Sequence, residues 1–166
     1  MKTLDFKTLQ PGDCLLYRPG NLLDWIVAIK TGARNTHVEV YVGDGTTISS
    51  RPSTGVGVRP VTTNLERLAY VRRPVGTGFV LDPRFNFAIG KKYDWRGLLG
   101  FFLGVRRGSL HRWFCSELAT MIYRDSWFQP TGKAFIPFNP QIAADHFSPA
   151  DFYNAGTFET IWRAGN

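Results

Sequence analysis

The stretch THVEVYVGDGTTISS, residues 36–50, carries the clearest structural signal in the chain. Its first half alternates three valines with three polar or aromatic residues, namely Val38, Val40 and Val42 with His37, Glu39 and Tyr41. This two-residue period predicts a strand with one face on a core, and the Asp-Gly pair after it predicts a hairpin turn into a second strand. If the valines face the core, the opposite face of the strand meets a cleft or solvent.

Further strand and helix patterns surround this hairpin. LQPGDCLLYRPG predicts a strand between two turns, and NLLDWIVAIKTG predicts a helix that Asn21 can cap and Gly32 ends. Strands are also predicted in GVGVRPV, LAYVRR and TFETIWRA, and a helix in SELATMIYR. DPRFNFAIG suits a helix entered through Pro83, and residues 126–156 suit ordered loop with short turns. The mixture predicts an α+β fold in a single domain, residues 1–166.

The composition excludes some classes of protein and leaves others open. With 43% hydrophobic and 20% charged residues, a chain of 166 residues is expected to fold around a core and not to be disordered. The formal net charge of +7 favours anionic partners such as nucleic acid, a lipid surface or a cell-wall polymer. A solvated basic surface that only aids solubility would give the same charge.

The apolar segments predict no membrane span. GLLGFFLGV, residues 97–105, is far shorter than the roughly 18 residues that a spanning helix needs. It could pack in the core, wall an acyl pocket or touch a membrane surface. MKTLDFKTLQPGD at the N-terminus lacks the apolar core of a signal peptide, so we expect a cytoplasmic location, or release by lysis or in a phage particle.

The two cysteines have different settings. Cys14 lies in an apolar strand pattern and is expected in the core. Cys115 stands at the start of a predicted helix, where free backbone N–H groups and the helix dipole favour a thiolate. The aromatic residues before it are equally consistent with a buried structural cysteine, so the local sequence leaves both interpretations open. Two cysteines and three histidines without a C-x-x-C pair give little material for a metal site, and we expect no metal or cofactor.

Four motifs in order carry a resemblance to a known family. The PGD strand, HVEVYVGDG, GKKYDWRGLLG and WFCSELA, spanning about Pro11 to Tyr123, resemble the NlpC-type papain-like cysteine hydrolases. Because the histidine precedes the cysteine, the chain resembles the circularly permuted branch, with the YiiX/YebB-like bacterial proteins and the lecithin–retinol acyltransferase relatives. The resemblance implies a papain-like domain in which the nucleophile helix packs against an antiparallel sheet.

By the same resemblance, Cys115 is the nucleophile and His37 the general base. Tyr93 would lie beside the nucleophile, and we take it and Ser49 as residues that contact the substrate. Relatives commonly place a histidine or another polar residue near the position of Ser49 to orient the base, whereas serine is a weak orienter. We favour Glu39, which shares a strand face with His37, as the third catalytic residue. A three-residue hairpin loop would set Ser49 across from Glu39, and a two-residue loop would set Ser50 there.

The sequence therefore predicts a thiol-dependent hydrolase or acyltransferase acting on an amide, ester or thioester carbonyl. A cell-wall peptide amide is the favoured substrate, since the resembled family is rich in such enzymes and a basic surface suits anionic wall polymers. A lipid acyl substrate is the second candidate. The alternative from another class is a non-catalytic basic module that binds nucleic acid or an anionic surface. The oligomeric state is left open.

Overall fold

The structure, a computed structural model, describes residues 4–32, 34–103 and 112–165. In chain order the strands of the described residues are β1 (Cys14–Tyr17), β2 (His37–Gly43), β3 (Thr46–Arg51), β4 (Gly55–Pro60), β5 (Leu68–Pro74), β6 (Phe79–Val80), β7 (Lys92–Tyr93), β8 (Arg112–Trp113), β9 (Trp127–Phe128), β10 (Lys133–Ala134) and β11 (Phe158–Arg163). The α-helices are α1 (Leu22–Thr31), α2 (Trp95–Leu103), α3 (Cys115–Asp125) and α4 (Pro149–Asn154). Short 3₁₀ helices occupy Phe6–Thr8, Leu65–Arg67, Pro83–Ala88 and Ala144–His146.

The hairpin of residues 36–50 lies inside a six-stranded antiparallel sheet. The strand order is β11-β5-β1-β2-β3-β4, and two small sheets, β10-β9-β6 and the parallel pair β7-β8, lie outside it. Asp44 and Gly45 form the hairpin turn with positive φ angles of 50° and 69°. The turn thus has two residues, but the register shifts between Tyr41 and Gly43, so that Val40 pairs with Ile48. This shift sets Ser49, and not Ser50, beside Glu39.

The valine face of β2 carries the main core. Val38 and Val40 are fully buried, and α3 covers them with Leu118 and Ile122. The helix begins and ends where the sequence predicts, and the period of its apolar residues explains the contact. The α+β prediction, with the α3 helix packed against an antiparallel sheet, is confirmed.

The opposite face of β2 differs from the expectation of a cleft or solvent. Tyr41 is buried in a second cluster with Leu15, Tyr17 and Val71. Glu39, between Tyr41 and His37, is only 1% exposed. Both faces of the strand are therefore covered, and only its first residue, His37, reaches a cleft. The period of two showed which residues share a face but could not show that a second cluster would cover that face.

Helices α1 and α2 each pack one side on the rest of the chain. In α1 the Asn21 side chain accepts from the backbone N–H of Asp24 at 2.9 Å, and Gly32 ends the helix with a φ of 63°, as the sequence predicts. Val27 of α1 packs on a small cluster that contains Leu98 of α2 and Phe114. None of the described helices is long and apolar enough to cross a membrane.

Candidate active site

His37 and Glu39 point to the same side of β2 and contact each other. Their separation of two residues puts both side chains on one strand face, and His37 Nε2 lies 3.1 Å from Glu39 Oε1. Since Nε2 is occupied by the carboxylate, Nδ1 is the ring nitrogen left for another partner. The pairing fixes the orientation of the ring at the start of the strand.

Four further side chains donate to the same buried carboxylate. Glu39 accepts hydrogen bonds from Thr47 Oγ1 at 2.6 Å, Ser49 Oγ at 3.0 Å and Tyr17 Oη at 3.2 Å. Arg51 Nη2 completes the set at 2.6 Å. Burial alone would raise the pKa of Glu39, but His37, Arg51 and Thr47 together hold it well below its ordinary value. Glu39 is thus a fixed negative charge behind the His37 ring.

Cys115 is the first residue of α3, directly after the N-cap residue Phe114. Its backbone N–H is among those that have no partner within the helix. The thiol, 8% exposed, and the His37 ring interact and line the same cleft. Burial would lower the pKa of His37, but Cys115 and Glu39 raise it to about 9. The three residues therefore form a chain of contacts in the order cysteine, histidine, glutamate.

The cleft beside Cys115 is mostly apolar. Its walls come from α1, α2, the segment before α3 and the start of α4, through Val27, Leu98, Phe114, Phe147 and Pro149. Thr36, Ser116 and Ser148 are its uncharged polar residues, Asp24 and Pro52 also line it, and the cavity volume is small, about 40 Å³. Such a lining is suited to an apolar group held next to a reacting carbonyl.

Tyr93, at the end of β7, also lines this cleft. It is 8% exposed, and its ring packs edge-on against Trp95 with a centroid distance of 5.1 Å. Burial, followed by the negative charges of Cys115, Asp24 and Asp94, raises the pKa of Tyr93 well above its ordinary value. The hydroxyl therefore stays protonated and is available as a hydrogen-bond donor.

Ser49 and Ser50 lie outside the cleft lining. Ser49 is 2% exposed and donates to Glu39, so its position suits support of the third residue better than contact with a substrate. Ser50 donates to the backbone carbonyl of Trp113, just before α3. The two serines thus face opposite sides of β3, and Ser50 ties the strand to the segment that carries Cys115.

The sequence reasoning missed Tyr17, Thr47 and Arg51 as partners of Glu39. Thr47, Ser49 and Arg51 recur with a period of two, so their common face on β3 could have been read from the sequence. The contact of Tyr17 with Glu39 could not be predicted from the sequence, because it depends on the β1–β2 register, which pairs Tyr17 with His37.

The second cysteine, Cys14, and the second described histidine, His146, are not part of the cleft lining. Cys14 is fully buried, and burial raises the pKa of its thiol to about 12. His146 contacts Asp145 at 2.9 Å in an exposed position, whereas His111 lies outside the described residues. Among residues 4–32, 34–103 and 112–165, no three His, Cys, Asp or Glu side chains are grouped so that they could hold a metal ion.

Comparison with known proteins shows similarity at the level of the fold. No protein-family model matches the chain, and no curated protein matches it in sequence. The structure is similar to the crystal structure of the metalloprotein YiiX (DUF1105) from Escherichia coli O157:H7, with a TM-score of 0.63 and 17% sequence identity. The match covers 93% of this chain and 97% of YiiX. At this identity the similarity establishes a YiiX-like α+β fold and says nothing of activity.

Proposed function

We propose that the chain is a cysteine-dependent hydrolase or acyltransferase that acts on a carbonyl substrate through Cys115, His37 and Glu39. The observation that carries the proposal is the placement of the Cys115 thiol, at the start of α3, and the His37 ring in one cleft, with the ring bound to the buried carboxylate of Glu39. A nucleophile, a base and an oriented ring in contact are the parts that covalent acyl transfer requires.

In the first step, the Cys115 sulfur attacks the carbonyl carbon, and a tetrahedral intermediate forms with a negative oxygen. The backbone N–H of Cys115 and the Tyr93 hydroxyl are the donors for that oxygen. His37, with a pKa of about 9, is protonated near neutral pH and gives its proton to the leaving nitrogen, oxygen or sulfur. The bond to the leaving group breaks and a thioester to Cys115 remains.

In the second step, water or another acceptor attacks this thioester. His37, now neutral, takes the proton of the attacking group, and the Cys115 sulfur leaves as a thiolate beside the reformed imidazolium. Glu39 keeps its negative charge throughout, orients the ring and stabilises the imidazolium.

The structural neighbour YiiX is a metalloprotein, which raises the question of whether the residues of this chain could bind a metal ion. The described residues offer no cluster of three metal-ligating side chains, so they do not fit a metal ion. The proposed steps therefore use only the side chains and backbone groups of the site.

The cleft favours an acyl-lipid substrate over the cell-wall peptide amide that the sequence suggests. An apolar substrate group would find apolar contacts in this cleft and few side chains that form hydrogen bonds. The contacts come from Val27, Leu98, Phe114 and Phe147. The peptide amide is the second candidate, because Lys92 and Arg112 line a neighbouring groove that also reaches Tyr93 and suits an anionic polymer.

Alkylation of the two cysteines tests the proposal without a known substrate. With iodoacetamide at pH 7 and peptide mapping by mass spectrometry, we expect rapid modification of Cys115, while Cys14, fully buried, serves as the internal control. His37→Ala should slow the modification of Cys115 sharply. Modification of Cys115 no faster than that of a free model thiol would reject the enzyme proposal.

Substrate class is then tested by incubating the protein with phospholipid vesicles and with purified peptidoglycan fragments, with products identified by mass spectrometry. Cys115→Ala is the control in both arms. We expect products from the lipid arm that the variant does not form. Products from peptidoglycan alone would restore the peptide amide as the substrate.

A further inference from the structure

The outward faces of α1 and α2 are apolar although nothing in the described chain covers them. On α1 the exposed fractions are 78% for Leu22, 57% for Trp25, 45% for Ile26 and 80% for Ile29. On α2 they are 49% for Trp95, 59% for Leu99 and 68% for Leu103. The spacing of the apolar residues predicts α1 correctly, but it belongs here to a face turned away from the core, which is unusual for a soluble helix. The helix α2 is not predicted from the sequence.

The two helices that carry these faces also contribute to the cleft. Val27 of α1 packs on the cluster that contains Leu98 of α2, and both residues line the cleft beside Cys115. Each helix therefore has one side on the cleft and another in solvent. A surface that bound both outer sides would lie next to the opening through which a substrate enters.

The charges on these helices match an anionic partner. Lys30 near the end of α1, Arg34 just after it and Arg96 in α2 are exposed. Asp24, the carboxylate of α1, is bound by Arg67, and α2 contains no acidic residue. The unpaired charge next to the exposed apolar side chains is thus positive, in a chain with a net charge of +7.

We infer that α1 and α2 seat the protein on an anionic phospholipid bilayer, with the cleft opening toward the lipid. Side chains of Leu, Ile and Trp that protrude from short helices, with Lys or Arg nearby, are features of helices that lie in a membrane interface. The inference rests on these two surfaces and not on the activity of Cys115.

Binding to vesicles tests the inference, with Cys115→Ala as the background so that turnover plays no part. We expect co-sedimentation with phosphatidylcholine vesicles that contain about 30% phosphatidylglycerol, and a blue shift of tryptophan emission as Trp25 and Trp95 leave water. Added salt and removal of phosphatidylglycerol should both weaken the binding.

The variant Ile29→Asp/Leu99→Asp should weaken vesicle binding by about 10-fold or more for each residue, since each apolar side chain leaves the interface. The matched control is Val75→Asp/Ile136→Asp, at two side chains that are 51% and 53% exposed on other elements. Circular dichroism checks that both pairs fold. Absence of binding to anionic vesicles, or equal loss in both pairs, would overturn the inference. A dimer in sedimentation that only the first pair disrupts would assign the face to a second copy and overturn it too.

Discussion

Glu39 is a buried negative charge that five side chains share. A carboxylate that is 1% exposed is stable only if its oxygens are fully hydrogen-bonded, and His37, Arg51, Thr47, Ser49 and Tyr17 do this. Ser49 is one of these donors and does not line the cleft. It is therefore connected to His37 through Glu39.

The charge of Glu39 should control the protonation of His37. Glu39→Gln removes a negative charge that helps to raise the pKa of His37 to about 9, so this pKa should fall by about one unit or more. Proton NMR titration of the histidine rings measures it, with His37→Gln identifying the signal. Alkylation of Cys115 near pH 8.5 should slow by about threefold, because less imidazolium is present at that pH to pair with the thiolate. An unchanged His37 titration would show that Glu39 only packs beside the ring.

The pair of Arg51 and Glu39 should contribute strongly to stability. Arg51→Met removes one of the two cationic side chains that face the buried Glu39 carboxylate, so we expect the free energy of unfolding in urea to fall by about 2 kcal/mol. Arg84→Met is the matched control. Because Arg84 is 72% exposed in its pair with Asp82, this substitution should change the free energy of unfolding little. Adding Glu39→Gln to Arg51→Met should recover part of the loss, and a strictly additive double variant would argue against the pairing.

At the scale of elements, α3 does two tasks with one amphipathic pattern. Leu118 and Ile122 fix the helix on the valine face of β2. The first residue of the helix is Cys115, which is thereby placed beside His37. Glu117 in the same first turn lies within reach of the backbone N–H of Phe114, at 3.4 Å. The start of α3 is therefore held by packing and by its own carboxyl group.

Glu117 should destabilise this helix start at alkaline pH. Burial, with Asp94 and Asp145 nearby, raises the pKa of Glu117 to about 8, so the folded state keeps a proton that the unfolded chain has lost. Glu117→Gln should therefore raise the free energy of unfolding relative to the native chain, and more at pH 8 than at pH 5. Urea unfolding at both pH values measures this, with exposed Glu66→Gln as the control. An equal effect at the two pH values would contradict it.

At the scale of the whole molecule, stability should be greatest in mildly acidic solution. His37 has a folded pKa of about 9 against 6.5 in a free chain, so its contribution is complete below pH 6.5 and is lost as the pH rises toward 9. The contribution of Glu117 to stability is likewise lost as the pH rises, up to its folded pKa of about 8. The pKa of Glu39 is lowered, so its contribution to the free energy of unfolding is lost only as the pH falls below the ordinary pKa of a carboxyl group.

We therefore expect the urea midpoint to fall steadily between pH 6.5 and 9. The double variant His37→Gln/Glu117→Gln should flatten this decline, because neither side chain then titrates in that range. A decline that persists unchanged in the double variant would place its origin in other groups. Cooperative unfolding must be checked at each pH by two spectroscopic probes.

The sequence by itself determined the central hairpin, α1 and α3, but it did not predict α2 or the elements β9, β10 and α4 within residues 126–156. The alternation of Val38, Val40 and Val42 predicted the central strand, and the cap at Asn21 and the stop at Gly32 predicted α1. These features depend on neighbours a few residues apart, which local patterns record. The pairing of His37 with Glu39 also follows from a spacing of two on one strand.

Tertiary structure decided what each face meets. It covered the Tyr41 face of β2, left the apolar faces of α1 and α2 in solvent, and shifted the hairpin register so that Ser49 meets Glu39. It also brought Cys115 to His37 across 78 positions of the sequence (115 − 37). A hydrophobic period shows that residues share a face, but only the packing of distant segments determines whether core, cleft or solvent lies against it.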